Sequence, residues 1–364
     1  MSINQNNLYY MNLALKQARR GLGKTSTNPS VGCVIVKGDE LISLGQTQKG
    51  GRPHAEQIAL KMAGPRSKGA TAYVSLEPCA HKGKTPSCAE LIIKADISRV
   101  VSTIEDPDLR VSGKGFQMLK DSGLNVNYGF FEKEALEVNS GFFSTIEKKR
   151  PLTILKLATT IDGKLGMLSG NSKWITSNYS RNYVHILRSS MDAVLIGKNT
   201  LLHDDPLLTV RHTKGKNPIR IILDSKGTLS DKSKILQTCN EIKTIIAVSK
   251  KISKSNFKKL NEFPVEIIIA GENSVNIKLL LRKLYEKKIK TILVEGGGTI
   301  NWEFIKSGIF DEMIITLSPF LIGGNDSTSF IEGEGYAKLS KSPNLKLKSS
   351  RRLKNHLILH YVKV

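Results

Sequence analysis

Apolar positions recur at two spacings along this chain, and the spacing alternates from segment to segment. Leu8, Met11, Leu15 and Ala18 sit at helical intervals, which predicts a helix over 8–20. Thr27-Asn28-Pro29 reads as a turn, followed by an apolar strand over Val31–Val36; Lys37-Gly38-Asp39 reads as a hairpin turn into a second strand over Leu41–Leu44. Helices are predicted over His54–Ala63, Cys88–Ala95 and Gly115–Lys120, and a long one over Glu132–Ile146. Strands are predicted over Ala70–Leu76, Arg99–Thr103 and Asn125–Tyr128. Lys148-Lys149-Arg150-Pro151 then interrupts the pattern, and a second alternation begins with a strand at Leu152–Ala158. Further strands are expected at Ala193–Ile196, Ile219–Leu223, Thr244–Val248, Val265–Ile269, Thr291–Val294 and Met313–Leu317, with helices between several of them and a last strand at Leu357–Val362. Strands alternating with helices describe an α/β layer architecture, divided here into domains at 1–147 and 151–364.

Composition narrows the class. At 364 residues, 40% apolar and 24% charged, the chain is of globular type and long enough for two cores. No apolar run is long enough to span a bilayer, and Met1–Asn7 is polar with no apolar signal core, so a cytoplasmic protein is expected. The formal net charge of +23 favours phosphate-bearing partners. Its lysines are scattered and only 6% of residues are aromatic, whereas a nucleic-acid surface concentrates basic groups among stacking rings. A solvated basic surface is therefore expected, and no nucleic-acid partner. Cys33 lies in the first apolar strand and Cys239 ends a helix-like segment; both read as core thiols, with no disulfide framework.

The other two cysteines belong to a cluster. His54-Ala55-Glu56, Glu77-Pro78-Cys79 and Pro86-Ser87-Cys88 supply one imidazole, two thiolates and a nearby carboxylate. Three protein ligands leave a tetrahedral zinc one position for water, the arrangement of a catalytic site. H-x-E followed by P-C…C is the signature of zinc nucleobase deaminases, in which the Glu carries protons and is not a ligand. Cys88 opens a predicted helix, whose N-terminus favours a thiolate. The bland alternative is a core His, two buried Cys and a surface Glu. Two sequences that mimic the end of a phosphate loop, Gly23-Lys24-Thr25 and Gly83-Lys84-Thr85, fail because the required earlier Gly is Ala18 or Pro78.

Longer phrases carry a family resemblance. Thr27–Val36, Pro53–Glu56, the loop Glu77–Cys88 and Val111-Ser112-Gly113-Lys114-Gly115 resemble the deaminase half of the bifunctional riboflavin-biosynthesis deaminase–reductases. Eight residues separate Cys79 from Cys88, a long basic insert typical of that branch, where related deaminases have P-C-x-x-C. The resemblance implies a cytidine-deaminase-like three-layer α/β/α domain with His54, Cys79 and Cys88 as zinc ligands and Glu56 as proton shuttle. It also implies that Asn28 and His81 contact the pyrimidine or its ribosyl arm, and that Lys84 and Thr85 meet the 5′-phosphate. One phrase departs from the family: the usual D-P-N-P reads Asp106-Pro107-Asp108-Leu109.

The second half resembles the reductase half of the same family, with a dihydrofolate-reductase-like α/β fold. The phrases are Leu155–Ala158, Asp162-Gly163-Lys164, Ser172–Ser177, Gly197–Thr200, Asp204-Asp205-Pro206, Leu208–Arg211, Asp224-Ser225 and Val294–Gly298. Three glycines at a strand-to-helix turn let backbone N–H groups approach an anion such as a cofactor pyrophosphate. G-x-G-x-x-G is absent, which disfavours a Rossmann fold. By resemblance, NADPH is held by Ala158, Trp174, Thr200, Asp204, Ser225, Gly297, Gly298, Thr299, Ile300, Asn301, Trp302 and Glu303. Ser172, Arg188, Leu208, Arg211 and Glu295 hold the ribosyl phosphate, the two arginines as a forked clamp. Lys156 and Asp204 remain alternatives for the proton donor. The implied reactions are hydrolytic deamination of a 2,5-diamino-6-(ribosylamino)pyrimidinone phosphate and NADPH-dependent reduction of ribosyl to ribityl. Deaminases of this kind commonly form dimers or rings, so a homo-oligomer is expected.

Overall fold

The computed structural model describes residues 5–81, 86–165 and 177–364. The chain divides into two compact units, Met1–Lys149 and Arg150–Val364.

In the first unit β1 (Gly32–Lys37), β2 (Glu40–Gln46), β3 (Thr71–Val74), β4 (Arg99–Ser102) and β5 (Asn125–Asn127) form one sheet in the order β2-β1-β3-β4-β5. β1 is antiparallel to β2 and β3, while β3, β4 and β5 run parallel. The apolar run of β1 is buried on both faces. Cys33 and Ile35 pack with Ala55 and Ala59 of the helix Ala55–Ala63, and Val34 and Val36 pack with Met11, Ala14 and Leu15 of the helix Gln5–Arg20. A sheet with a helix layer on each face follows from that alternation.

In the second unit β6 (Leu152–Thr160), β7 (Ala193–Gly197), β8 (Ile219–Leu223), β9 (Thr244–Val248), β10 (Glu266–Ile269), β11 (Thr291–Val294), β12 (Glu312–Ser318), β13 (Leu345–Leu353) and β14 (His356–Lys363) give one sheet in the order β10-β9-β8-β7-β11-β6-β12-β14-β13. Every pairing from β10 to β12 is parallel, and the β13–β14 hairpin closes the far edge antiparallel. β7, buried at all five positions, and β9, likewise, read as continuous apolar runs because helices cover both faces.

Two expectations are corrected. The long helix over Glu132–Ile146 is two helices, Glu132–Val138 and Ser140–Glu147. Asn139 between them leaves helical geometry (φ −109°, ψ 21°), and its amide pairs with the Ser30 backbone, accepting at 2.8 Å and donating at 3.1 Å. A tertiary bond there outweighs helical continuity. β13 was not foreseen: Leu345-Lys346-Leu347-Lys348-Ser349-Ser350-Arg351-Arg352-Leu353 is mostly exposed and rich in charge, the composition by which an edge strand avoids pairing with other chains.

Arg220 of β8 has no exposed surface. Its guanidinium donates to Thr244 Oγ1 at 2.7 and 3.0 Å, Thr238 Oγ1 at 2.7 Å, the Ile235 carbonyl at 2.9 Å and the Ile242 carbonyl at 3.3 Å. Burial pulls its pKa down to about 10, so it remains charged at neutral pH and ties the chain at 235–244 to the sheet. Arg220→Met fills the aliphatic volume but strands those oxygens, and is expected to cost about 3 kcal/mol. Urea unfolding of the variant against wild type measures the loss.

Candidate active sites

In the first unit three short segments converge. His54 stands at the N-terminus of the helix Ala55–Ala63, where its backbone N–H donates to the Gln57 side chain at 3.1 Å. Cys88 is the first residue of the helix Cys88–Lys94, whose start is fixed by a reciprocal cap: Ser87 Oγ accepts from Glu90 N–H at 3.2 Å, and Glu90 accepts from Ser87 N–H at 3.3 Å. Cys79 lies in the loop after β3. His54 Nδ1 is 3.3 Å from Cys88 Sγ and 3.7 Å from Cys79 Sγ, and the three donor atoms lie within 4.8 Å of one another. One imidazole nitrogen and two sulfurs at that separation fit a zinc ion.

The helix N-terminus serves the other cysteine from the one expected. Cys88 N–H donates to Cys79 Sγ at 3.4 Å. Hydrogen bonds from the Cys88 thiol and His54 hold the Cys79 thiol down to about 4, while donation to Cys79 and burial push Cys88 up. Glu56 is no surface carboxylate: it is 3% exposed, the Cys88 thiol bonds it, and its Oε2 makes no hydrogen bond among the described residues. Burial raises its pKa.

Glu77 had no role assigned from sequence. Its Oε2 accepts from the N–H groups of Asp106 at 3.0 Å and Gly113 at 2.9 Å; its Oε1 accepts from Gly115 at 2.8 Å and Phe116 at 3.3 Å. The phrase Val111–Gly115 thus exists to present N–H groups to the carboxylate two residues before Cys79. A Cβ at Gly115 would stand 1.9 Å from the Pro78 carbonyl oxygen, so only glycine permits the approach.

Asn28 Nδ2 donates to the Gly51 carbonyl at 2.8 Å and fastens the segment leading to His54. His81 is half-buried, and its Nδ1 has no hydrogen-bond partner among the described residues. Lys84, Thr85, Ser172 and Trp174 lie outside the described residues.

The second unit holds two adjoining clefts at the C-terminal ends of β6, β7, β8 and β11. One, about 550 Å³, is lined by residues including Lys156, Ala158, Arg188, Leu208, Arg211 and Glu295. The other, about 430 Å³, is lined by Gly197, Thr200, Ser225, Gly297, Thr299 and Ile300 among others. Thr200 and Gly297 line both, and Asp204 lines the first. The glycine turn opens the helix Gly298–Lys306; a Cβ at Gly296 would lie 2.7 Å from Ile300 Cβ. Unpaired N–H groups at that helix start suit a pyrophosphate.

Consecutive helical residues cannot all face one cleft, because each turns about 100° from the last. Asn301 is buried and donates to the Phe330 carbonyl at 2.8 Å, Trp302 packs edge-on against Tyr336 with centroids 5.2 Å apart, Gly298 lies against Ser329 and Glu332, and Glu303 lines a separate groove with Gly271–Leu279. Of the stretch 297–303, only Gly297, Thr299 and Ile300 line the smaller cleft.

Arg188 is occupied within the protein. Its Nε and second terminal nitrogen grip Glu295 at 2.6 and 3.0 Å, and its remaining nitrogen donates to the Thr209 carbonyl at 3.1 Å. Lys156 Nζ lies 3.7 Å from the same carboxylate, and burial lowers its pKa. Arg211 is exposed at the cleft rim. The loop between them includes Leu208, buried at φ +55°, a strained conformation for leucine that persists because neighbours over-determine it. Arg188 holds Thr209, Asn217 Oδ1 accepts from Val210 N–H at 2.8 Å, and His185 Nδ1 accepts from Arg211 N–H at 3.2 Å. Sequence reading missed His185, whose only signal is its place one helical turn before Arg188.

Residues 4–104 match the family described as the cytidine and deoxycytidylate deaminase zinc-binding region, and 151–359 match the RibD C-terminal domain. The riboflavin biosynthesis protein RibD of Aquifex aeolicus is 42% identical over 353 residues, 97% of each chain. That of Escherichia coli K12 is 38% identical over 371 residues, 97% of this chain and 98% of the other. Acinetobacter baumannii RibD superposes with a TM-score of 0.88 at 36% identity, covering 99% of each chain. A diaminohydroxyphosphoribosylaminopyrimidine deaminase/5-amino-6-(5-phosphoribosylamino)uracil reductase from Thermotoga maritima does so at 0.87 and 33%, with the same coverage. Fold and site define a two-domain enzyme, a zinc-binding deaminase domain followed by a reductase domain. The chain belongs to the RibD family of riboflavin-biosynthesis proteins, bifunctional deaminase/reductases. Among the described residues no helix is long and apolar enough to cross a membrane.

Glu77→Gln turns an amide N–H₂ toward backbone donors, so the Cys79 loop loses its anchor; zinc affinity is expected to fall 10- to 100-fold, read by chelator competition. His185 is held down to about 4 by burial, with Arg188, His212 and Arg211 adding to the effect. The folded state therefore prefers neutral His185, and that stabilisation is complete above about 6.5 and lost as the pH falls toward 4. His185→Asn, a non-titrating acceptor, should flatten the loss in urea midpoint between pH 7 and 5 relative to wild type.

Proposed function

We propose that the first unit hydrolyses the 2-amino group of 2,5-diamino-6-(5-phosphoribosylamino)pyrimidin-4-one, releasing ammonia, and that the second reduces the ribosyl arm of the product to ribityl with NADPH. The observation that carries the reading is a buried carboxylate with an uncommitted oxygen, Glu56 Oε2, beside one nitrogen and two sulfur donors.

His54 Nδ1, Cys79 Sγ and Cys88 Sγ are the proposed zinc ligands. Zinc bound there would lower the pKa of a water from about 15.7 toward about 7. Glu56 takes one proton from that water as its oxygen adds to the ring carbon bearing the amine and passes it to the ring nitrogen; it then carries the remaining hydroxyl proton to the amine as the C–N bond breaks and the carbonyl forms. His81 and Asn28 flank the pyrimidine or its ribosyl arm, and Lys84 with Thr85 meets the phosphate.

In the second unit Gly297, Thr299 and Ile300 with Thr200 and Ser225 cradle NADPH, and the neighbouring cleft takes the ribosyl phosphate with Arg211 at its rim. NADPH bound there would supply hydride to the ribosyl carbon that bears the amine, whose bond to the ring oxygen breaks. Lys156, half-buried in the cleft beside Glu295, is the proposed donor of the proton that the ring oxygen receives; Asp204 is exposed. The Arg188–Glu295 pair holds Lys156 and the Thr209 loop in place rather than gripping phosphate with both arginines.

Mass spectrometry of the diaminopyrimidinone phosphate after incubation with zinc-loaded protein tests both steps. Amine-to-carbonyl conversion is expected without NADPH, and a gain of two hydrogens only with it. Glu56→Gln should lower deamination by about 10²- to 10⁴-fold while retaining zinc and leaving reduction of the deaminated compound intact. Unchanged deamination in that variant would refute the proton-shuttle role.

A further inference from the structure

Thr316 of β12 carries a hydroxyl that the fold itself does not use. The residue is 1% exposed, its Oγ1 makes no hydrogen bond among the described residues, and it lines the cleft wall with Lys156 and Ala158. In the β6–β12 pairing it lies directly beside Ala158. The other hydroxyls of these two strands are all paired: Thr153 with the Pro151 carbonyl, Thr159 and Thr160 with the Lys164 carbonyl, and Ser318 with His356 Nδ1. Leaving a buried hydroxyl unpaired costs stability, and valine would fill the same β-branched volume without that cost. The hydroxyl on the cleft wall is the one that stands alone.

Its place in the sheet indicates which ligand it serves. The smaller cleft, the one the reductase reading gives to NADPH, is lined by Gly197 at the end of β7, Ser225 after β8 and Gly297 after β11. In the order β8-β7-β11-β6-β12, Thr316 lies on the opposite side of β6 from all three. We propose that Thr316 is a substrate-binding residue of the reductase cleft, its hydroxyl hydrogen-bonding a polar atom of the ribosylaminopyrimidine beside Lys156. This rests on the reductase reading of the cleft.

Steady-state kinetics of the full-length, zinc-loaded chain on the deaminated ribosylaminouracil phosphate, varied separately from NADPH, is the test. Thr316→Val is expected to lower kcat/KM for the pyrimidine roughly 3- to 10-fold, the value of one hydrogen bond to a neutral partner. KM for NADPH should stay unchanged and the melting temperature should equal or exceed wild type. Thr316→Ser, which keeps the hydroxyl, should recover most of the loss. Wild-type kinetics in Thr316→Val would overturn the inference alone, as would a change confined to KM for NADPH, or a lower melting temperature with both KM values intact. A wild-type chain that never oxidises NADPH would overturn the reductase reading and this inference with it.

Discussion

Parallel strands impose the constraint on which both units depend. Neighbours that run the same way must be joined by crossovers, so their C-terminal ends gather along one edge and the following helices begin there. Each helix start brings unpaired N–H groups to that edge. In the first unit the Cys88 N–H meets Cys79 Sγ, and four more N–H groups meet Glu77. In the second, the glycine turn after β11 opens the helix Gly298–Lys306 beside Thr200 and Ser225. The two chemistries differ, but both are assembled from the same backbone resource.

Buried charge is handled differently in each unit. Glu77 is a carboxylate satisfied entirely by backbone donors, which makes it a rigid strut under the Cys79 loop. Glu56, two residues from His54, is left with one oxygen uncommitted among the described residues. Glu295 is shared between Arg188 and Lys156, so that one anion is paired with two cations in the cleft wall. A buried pair of this kind adds little net stability, because desolvation opposes attraction; its value here is geometric, since it sets where Lys156 and the Thr209 carbonyl lie.

Much of this was legible from residues alone. The H-x-E and P-C phrases, the glycine turn and the apolar runs of β1, β7, β8, β9 and β11 each carry local information that survives folding. Other features were not. Asn139 reads as one more helical residue until Ser30, 109 positions away, accepts and donates to it. β13 has no apolar pattern because an edge strand needs none. Nor does a run of consecutive residues at 297–303 show that the turn of the helix sends Asn301 and Trp302 into the core.

What the sequence determined by itself is therefore the set of reactive groups: one imidazole, two thiols and a neighbouring carboxylate in order, and a second α/β half with a glycine turn. Those are properties of residue type and short spacing. Tertiary structure decided which groups are committed and which remain available. It placed Arg188 on Glu295, gave the helix N–H to Cys79 rather than Cys88, buried Glu56 with an open oxygen, and left the Thr316 hydroxyl unpaired on a cleft wall. The reason is that hydrogen-bond commitment depends on partners tens to hundreds of residues distant, and no local pattern along the chain encodes them.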